Sequence, residues 1–185
     1  MQKERIIMGV DPGTKIMGYG IIEVKNGQMK AICYDIINLS KFKNHALKLK
    51  KISERMSELI EQYAPDEMAL ESPFYSKNVQ VALKLGRAQG VAMAAALVKE
   101  IPISEYAPRK IKQSVTGQGE ASKEQVASML KNLLKLADDK IIIDATDALG
   151  VAVCHYFQTS SGIMNTEEKV KGWGAFLKNN PDRIK

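Results

Sequence analysis

The chain contains few of the residues that disulfide and zinc chemistry require. Its 185 residues include two cysteines and two histidines. Cys33 and Cys154 stand in different apolar contexts without ligand-like spacing, which favours small buried thiols in a reducing compartment. No histidine or cysteine cluster argues for zinc. The sequence therefore predicts neither a disulfide nor a zinc site.

Long apolar runs are also missing. No segment approaches the roughly 18 apolar residues that a membrane span needs, and the apolar segment after the polar start is too short for a signal peptide. The hydrophobic fraction of 45% and charged fraction of 26% are ordinary for a globular domain. We expect a cytoplasmic protein with no membrane partner.

Acidic residues are outnumbered by basic ones, 21 to 27, which gives a formal net charge of +6 and a pI near 9.2. Such an excess attracts polyanions such as nucleic acid. Many basic proteins bind no nucleic acid, so charge alone indicates a direction and decides nothing.

The order of the apolar patterns predicts an α/β fold. Three strands joined as hairpins, with Asn26-Gly27 as a turn, precede alternating helices and strands. Strands are predicted at 5–10, 17–24, 29–37, 67–71 and 103–106, and helices at 42–63, 76–99, from 108, 122–136 and 144–157. Hairpins first and crossover helices later is the order of RNase H-like folds, with a mixed five-stranded sheet flanked by helices.

One RNase H-like domain is predicted over residues 1–159, followed by a polar, basic and flexible tail at 160–185. Within the second long helix, Gly86 and Gly90 lie four residues apart on one face. Glycine costs about 1 kcal/mol against alanine inside a helix, which suggests that another backbone approaches closely. Packing onto the sheet and a contact between subunits are equally open explanations.

Four carboxylates stand where a site at a sheet edge would need them. Asp11 ends the first strand and Glu71 the fourth, whereas Asp144 and Asp147 share one face at the start of an apolar helix. Individually they suit a turn, an ion pair, a helix cap and a helix dipole. Together, acids embedded in apolar sequence are costly unless paired or metal-bound. They predict a two-metal phosphodiesterase site for Mg²⁺ or Mn²⁺.

Candidate contacts to nucleic acid surround these acids. Arg109, Lys110, Lys112 and Lys123 form a basic stretch suited to phosphates, with a solvated helix face favoured for Lys110. Phe74, or Tyr75 beside it, could stack on bases. His155 lies roughly 12 Å along the helix from Asp147, too far to share a metal, and is predicted to be structural.

Five segments carry a resemblance to a known family. They read D-P-G-T-K-I-M-G-Y-G at 11–20, E-S-P-F at 71–74, K-N-x-x-x-A-L-K-L-G at 77–86, Y-A-P-R-K-I-K-Q-S-V-T-G-Q-G at 106–119 and D-A-T-D-A-L-G-V-A-V-C-H at 144–155. Over about residues 5–158 the chain resembles the RuvC family of crossover (Holliday) junction endodeoxyribonucleases.

The resemblance implies an RNase H-like homodimer that resolves four-way DNA junctions by symmetric paired nicking in homologous recombination and DNA repair. It implies two Mg²⁺ ions per subunit, with Mn²⁺ as a substitute, and a branch-migration helicase complex as partner. The family's catalytic and metal-binding acids fall on Asp11, Glu71, Asp144 and Asp147. Its DNA contacts fall on Phe74, Lys77, Asn78, Arg109, Lys112 and Lys123.

The chain departs from the family where relatives often have G-Q-A-R-G, because it has Arg87 and Gln89 in the opposite order. Moving an arginine by two positions rotates its side chain by about 200° around a helix, so any contact that this arginine makes in relatives is in doubt here.

Three other classes of protein are alternatives to a junction endonuclease. They are an actin-type ATPase, whose second Gly-rich loop is absent, a ribosomal-RNA maturation nuclease, and a non-catalytic DNA-binding module.

Overall fold

The computed structural model describes residues 4–73, 78–136 and 143–160 of the chain. Its elements are β1 (Arg5–Asp11), β2 (Ile16–Lys25), β3 (Gln28–Asn38), α1 (His45–Tyr63), β4 (Glu67–Glu71), α2 (Val79–Leu97), β5 (Ile103–Tyr106), α3 (Pro108–Thr116), α4 (Lys123–Leu134) and α5 (Ile143–Ser160). The predicted element order is confirmed. Of the predicted tail at 160–185, all but Ser160 lies outside the described residues.

The five strands form one mixed sheet in the order β3-β2-β1-β4-β5. The pairs β1–β2 and β2–β3 are antiparallel, whereas β4 is parallel to both β1 and β5. The hairpin turn at Asn26 and Gly27 has positive φ at both residues, as the Asn-Gly pair predicts. The mixed five-stranded sheet of the prediction is therefore confirmed.

Helices cover both faces of the sheet. On one face α1 and α2 close a core around Met56, Met68 and Ala92. On the other face α3, α4 and α5 pack on Ile7, Ile22 and their neighbours. β1, β3 and β4 run in the same direction, so they end at the same edge of the sheet. α1 begins after β3 and α2 after β4, and the first turn of α5 lies against Gly18, the register partner of Asp11. The N-termini of all three helices therefore lie at this edge.

Helix boundaries differ from the prediction where side chains cap the backbone. α1 begins at His45, not Phe42, because the Asn44 side chain accepts a hydrogen bond from the Ala46 amide. α4 begins after Ser122, whose hydroxyl forms the predicted capping box with Gln125. Pro108 opens α3 as predicted.

Glycines in the first hairpin let α5 lie directly on the sheet. A Cβ at Gly9 would stand 2.1 Å from the Ala148 carbonyl oxygen, and one at Gly18 would stand 2.3 Å from that of Asp144. A Cβ at Gly20 would meet the Leu149 side chain at 2.8 Å. Any side chain at these positions would push the helix away, so the glycines set the height of α5 above β1 and β2.

Of the two explanations for Gly86 and Gly90, packing onto the sheet is wrong. Both glycines are exposed on α2, and a Cβ at either position would have no atom within 4 Å. The side of α2 that packs inward carries Ala88, Ala92 and Ala96 instead. A contact between subunits stays a prediction.

The cysteines and the longest helices were also subjects of the predictions from sequence. Both cysteines are free, Cys154 buried and Cys33 only partly so. Within the described part of the chain, no helix is sufficiently long and apolar to span a bilayer.

We expect Gly18→Ala to destabilise the protein by about 1–3 kcal/mol, because its Cβ would overlap the α5 backbone. The matched control is Gly150→Ala on α5, where the nearest atoms to a new Cβ lie 3.5–3.8 Å away. There alanine should be neutral or stabilise by up to ~1 kcal/mol. Urea unfolding of both variants measures the difference, and equal stabilities would refute the close-approach argument.

Candidate active site

Two of the four predicted acids meet at the ends of adjacent parallel strands. Asp11 is the last residue of β1 and Glu71 the last of β4. The register pairs Val10 with Leu70, which places the two acids side by side, one residue further along. Strands lie about 4.8 Å apart, so both carboxyl groups share one edge of the sheet.

The other two acids come from the first turns of α5. Asp144 and Asp147 are one turn apart and face the same direction. The Asp144 carbonyl lies directly over Gly18, which is the register partner of Asp11 across the hairpin. The close packing of α5 therefore brings the second pair of acids to the first.

Burial and mutual repulsion disturb the ionisation of these acids. Burial, then the charges of Glu71 and Asp147, raise the pKa of Asp11 from 3.8 to about 7, despite the opposing charge of Lys123. Burial and the charge of Asp147 also raise the pKa of Glu71. Clusters of acids with raised pKa values are typical of functional sites, because a bound cation would stabilise their charged forms.

Lys123 supplies the positive charge nearest to these acids. It opens α4, and its ammonium pairs with Asp147 Oδ2 and lies 4.0 Å from Asp144 Oδ1. The hydrogen bond to Asp147 raises the pKa of Lys123. The Lys123 ammonium therefore lies against the acidic cluster.

Lys112 lies beside the same group. Together with Glu71, Lys123 and Asp147 it lines a cleft of about 90 Å³, closed by Pro108, Ile111 and Val126. Its charge also lowers the pKa of Glu71 against the larger effect of burial. The structure therefore brings together the four predicted acids and two of the predicted lysines.

The remaining predicted contacts are less closely tied to this edge. Arg109 is exposed and pairs with Glu120 at 3.4 Å. Asn78 caps α2, its side chain accepting from the Gln80 and Val81 amides. Phe74 and Lys77, with the competing Tyr75, lie outside the described residues.

His155 has the structural role that its spacing predicts. Its ring is buried and bonds to the Tyr106 hydroxyl at 2.8 Å and to the Glu67 carboxylate, which Arg5 holds at 3.1 Å. Burial lowers the pKa of His155, although the hydrogen bond and the charge of Glu67 act in the opposite direction. Glu67 begins β4, roughly 13 Å from the end of the strand that carries Glu71. The sequence did not identify these partners, because they come from three separate strands.

Donor type and charge at the acidic edge fit hard divalent cations. As the side chains stand, no group of three acidic, cysteine or histidine residues among those described is gathered tightly around one point. Lys123 occupies part of the space between them. Binding of a metal would therefore require the carboxylates to close in and the ammonium to withdraw.

A mixed sheet with helices on both faces and carboxylates at the ends of β1, β4 and the start of α5 defines an RNase H-like nuclease. Comparison with known proteins narrows this class. Residues 7–155 match the family described as "Crossover junction endodeoxyribonuclease RuvC". The chain belongs to the RuvC family.

Curated relatives with more than half of their residues identical carry the same description. The protein of Cytophaga hutchinsonii is 59% identical over 182 residues, covering 98% of this chain and 89% of that protein. The protein of Porphyromonas gingivalis is 54% identical over 186 residues, covering 99% and 98%. The recognition made from the five sequence motifs is confirmed.

Solved structures of Holliday junction resolvases have the same fold as this chain. RuvC of Thermus thermophilus in complex with a Holliday junction substrate superposes with a TM-score of 0.79 at 28% identity, covering 85% of this chain and 96% of that one. The yeast mitochondrial Holliday junction resolvase Ydc2 gives a TM-score of 0.62 at 13% identity, covering 80% and 76%. The second likeness supports the fold alone, and the RNase H-like prediction is confirmed.

The raised pKa of Asp11 predicts a pH-dependent penalty in the metal-free protein. Because the pKa of about 7 in the folded protein lies above the ordinary aspartate pKa of 3.8, stability is lost as pH rises through that window. Asp11→Asn removes the charge, so in EDTA at about pH 8 the variant should be more stable than wild type by about 2–4 kcal/mol. The difference should vanish near pH 4.

The measurement is urea unfolding across this pH range. The exposed Asp35 on β3 provides the control, since Asp35→Asn should shift stability little at any pH. A stability gap for Asp11→Asn that stays constant with pH would contradict the assignment of the raised pKa.

Proposed function

We propose that this chain is a structure-selective endonuclease that resolves four-way DNA junctions by paired, symmetric hydrolysis of opposing strands. The observation that carries this proposal is the convergence of Asp11, Glu71, Asp144 and Asp147 at one sheet edge beside Lys112 and Lys123. Membership of the RuvC family supports it, as does the junction bound to the Thermus thermophilus relative. Its context is homologous recombination and repair in the bacterial cytoplasm.

The four acids would hold two Mg²⁺ ions in each subunit, with Mn²⁺ as a substitute. The chemistry that such ions supply is activation of a water and stabilisation of the leaving 3′ oxygen. The partly buried carboxylates of Asp11 and Glu71 would hold the ions from the ends of two sheet strands. Asp144 and Asp147 would approach them from the first turns of α5.

The lysines beside the acids have a second role in this mechanism. When Lys123 withdraws from Asp147, its ammonium can contact a phosphate of the strand to be cut. Lys112 faces the same cleft and can hold a neighbouring phosphate. Arg109 and Asn78 are assigned to the flanking backbone together with Lys77, and Phe74 to stacking at the opened junction centre.

A homodimer is the second element of the proposal, because two opposing strands require two sites. α2 presents an apolar face that no other described residue of the chain covers. Val79, Leu83 and Leu97 are 67%, 49% and 58% exposed, and Gly86 and Gly90 lie on the same side of the helix. Small residues at this face would let two copies of α2 approach closely.

The cleavage test uses a labelled mobile four-way junction and a matched linear duplex, with Mg²⁺ or with EDTA. We expect paired nicks in opposing strands of the junction alone, dependent on metal and reduced by at least about 10³-fold in Asp11→Asn. The control is Asp35→Asn, which should cut as wild type does. Tight junction binding without cleavage in Mg²⁺ or Mn²⁺ would favour the non-catalytic binding module.

The dimer test introduces charge into the exposed face of α2. Leu83→Glu should shift the protein from dimer to monomer, because burying an unpaired charge costs several kcal/mol. Met129→Glu on α4, where the side chain is 43% exposed, provides the control and should leave the mass unchanged. Sedimentation equilibrium measures both, and a dimeric Leu83→Glu would place the interface elsewhere.

The branch-migration helicase complex stays a prediction that rests on the resemblance.

A further inference from the structure

A second group of positive charges lies on the other face of the sheet from Lys112 and Lys123. Between Leu39 and Ser53 the chain has five lysines and no acidic residue. α2 likewise carries no acidic residue, and its two charged side chains are Lys84 and Arg87. Both are exposed.

Packing of α1 against α2 gathers these charges. The His45 ring at the start of α1 is close enough to Arg87, Lys84 and Lys48 for their charges, after burial, to lower its pKa. We refer to Lys48, Lys84 and Arg87, together with the neighbouring His45 ring, as the α1–α2 cationic surface. Three cationic side chains of two helices thus converge around one histidine, without an acidic side chain among them.

The surface is anchored next to the acidic cluster. Lys48 Nζ donates to the Thr14 carbonyl at 2.9 Å, and Thr14 lies in the turn that follows Asp11 at the end of β1. The N-termini of α1 and α2 lie at the same sheet edge as the acids. The candidate active site is therefore flanked by cations on both helical layers.

The position of Arg87 in the sequence adds one positive charge to this surface. Gln89, two residues later, is buried and its Nε2 donates to Glu105 Oε2 at 3.0 Å on β5. Residues two apart project about 200° from each other around a helix. Arginine at 87 therefore points to the α1 side, where an arginine at 89 would point to β5.

We propose that the α1–α2 cationic surface binds the phosphate backbone of a junction arm outside the strand that is cut. This inference rests on the proposed function and extends it, because Lys112 and Lys123 contact the scissile strand from the opposite layer. A polyanion is the fitting partner, since the surface has several positive charges and no acidic group. Its position beside the acids selects the bound DNA itself over a separate acidic protein.

The test measures junction affinity against salt concentration in an Asp11→Asn background, so that Mg²⁺ is present without cleavage. Each lost phosphate contact lowers the slope of log affinity against log salt by about 0.9. We therefore expect Lys84→Ala/Arg87→Ala to lower the slope by about 1.8 and to weaken binding at every salt concentration. Arg87→Gln should lower it by about 0.9.

The matched control removes the same charge from the opposite end of the molecule. Lys25 lies at the β2 end of the hairpin turn, and Lys99 follows α2, where it pairs with Glu61. Lys25→Ala/Lys99→Ala should keep the wild-type slope. Thermal unfolding of every variant verifies the fold, and Arg87→Gln serves if the double variant unfolds.

The outcomes separate the two proposals. No junction binding in the Asp11→Asn background would overturn the proposed function. Junction binding with an unchanged slope in Lys84→Ala/Arg87→Ala would overturn only the assignment of this surface to DNA. An equal fall in slope in the control would show a general charge effect and overturn it as well.

Discussion

The direct contact between α5 and the first hairpin is the constraint on which the rest of the structure depends. Three glycines on β1 and β2 leave room for the helix backbone and the Leu149 side chain to approach the strands closely. As a result Asp144 and Asp147, which are remote in sequence, come to the ends of β1 and β4. A helix raised by one methyl group would separate the two pairs of acids, so packing and chemistry are coupled at the same backbone atoms.

Bringing four acids together has an electrostatic cost that the fold offsets only in part. Repulsion and burial leave Asp11 with a pKa of about 7, and one ammonium, that of Lys123, pairs with the cluster directly. The two positive charges of Lys112 and Lys123 are fewer than the four carboxylates, which leaves an excess of negative charge. In the proposed function this excess would attract divalent cations, and the same edge would be less stable without them.

Much of this arrangement could be predicted from the sequence, and the remainder has physical reasons. Periodicity and turn signals predict the sheet, and apolar surroundings mark Glu71, Asp144 and Asp147 as unusual acids. The chain pattern could not show that Gly18 lies under Asp144, because that contact joins residues 126 positions apart. Nor could it distinguish the open face at Gly86 from a packed one, or find the partners of His155, since both depend on tertiary packing.

Two sides of α2 have different proposed functions, contact with a second subunit on one and contact with DNA on the other. Its glycines and exposed aliphatic side chains face away from the sheet, whereas Lys84 and Arg87 face α1. In the proposed homodimer a twofold axis beside the apolar side would repeat every element once. Each acidic edge would then have its own α1–α2 cationic surface on the flank of the interface. A two-fold substrate such as a four-way junction would meet the same pattern of charge in both halves, which is the condition for opposing strands to be held alike.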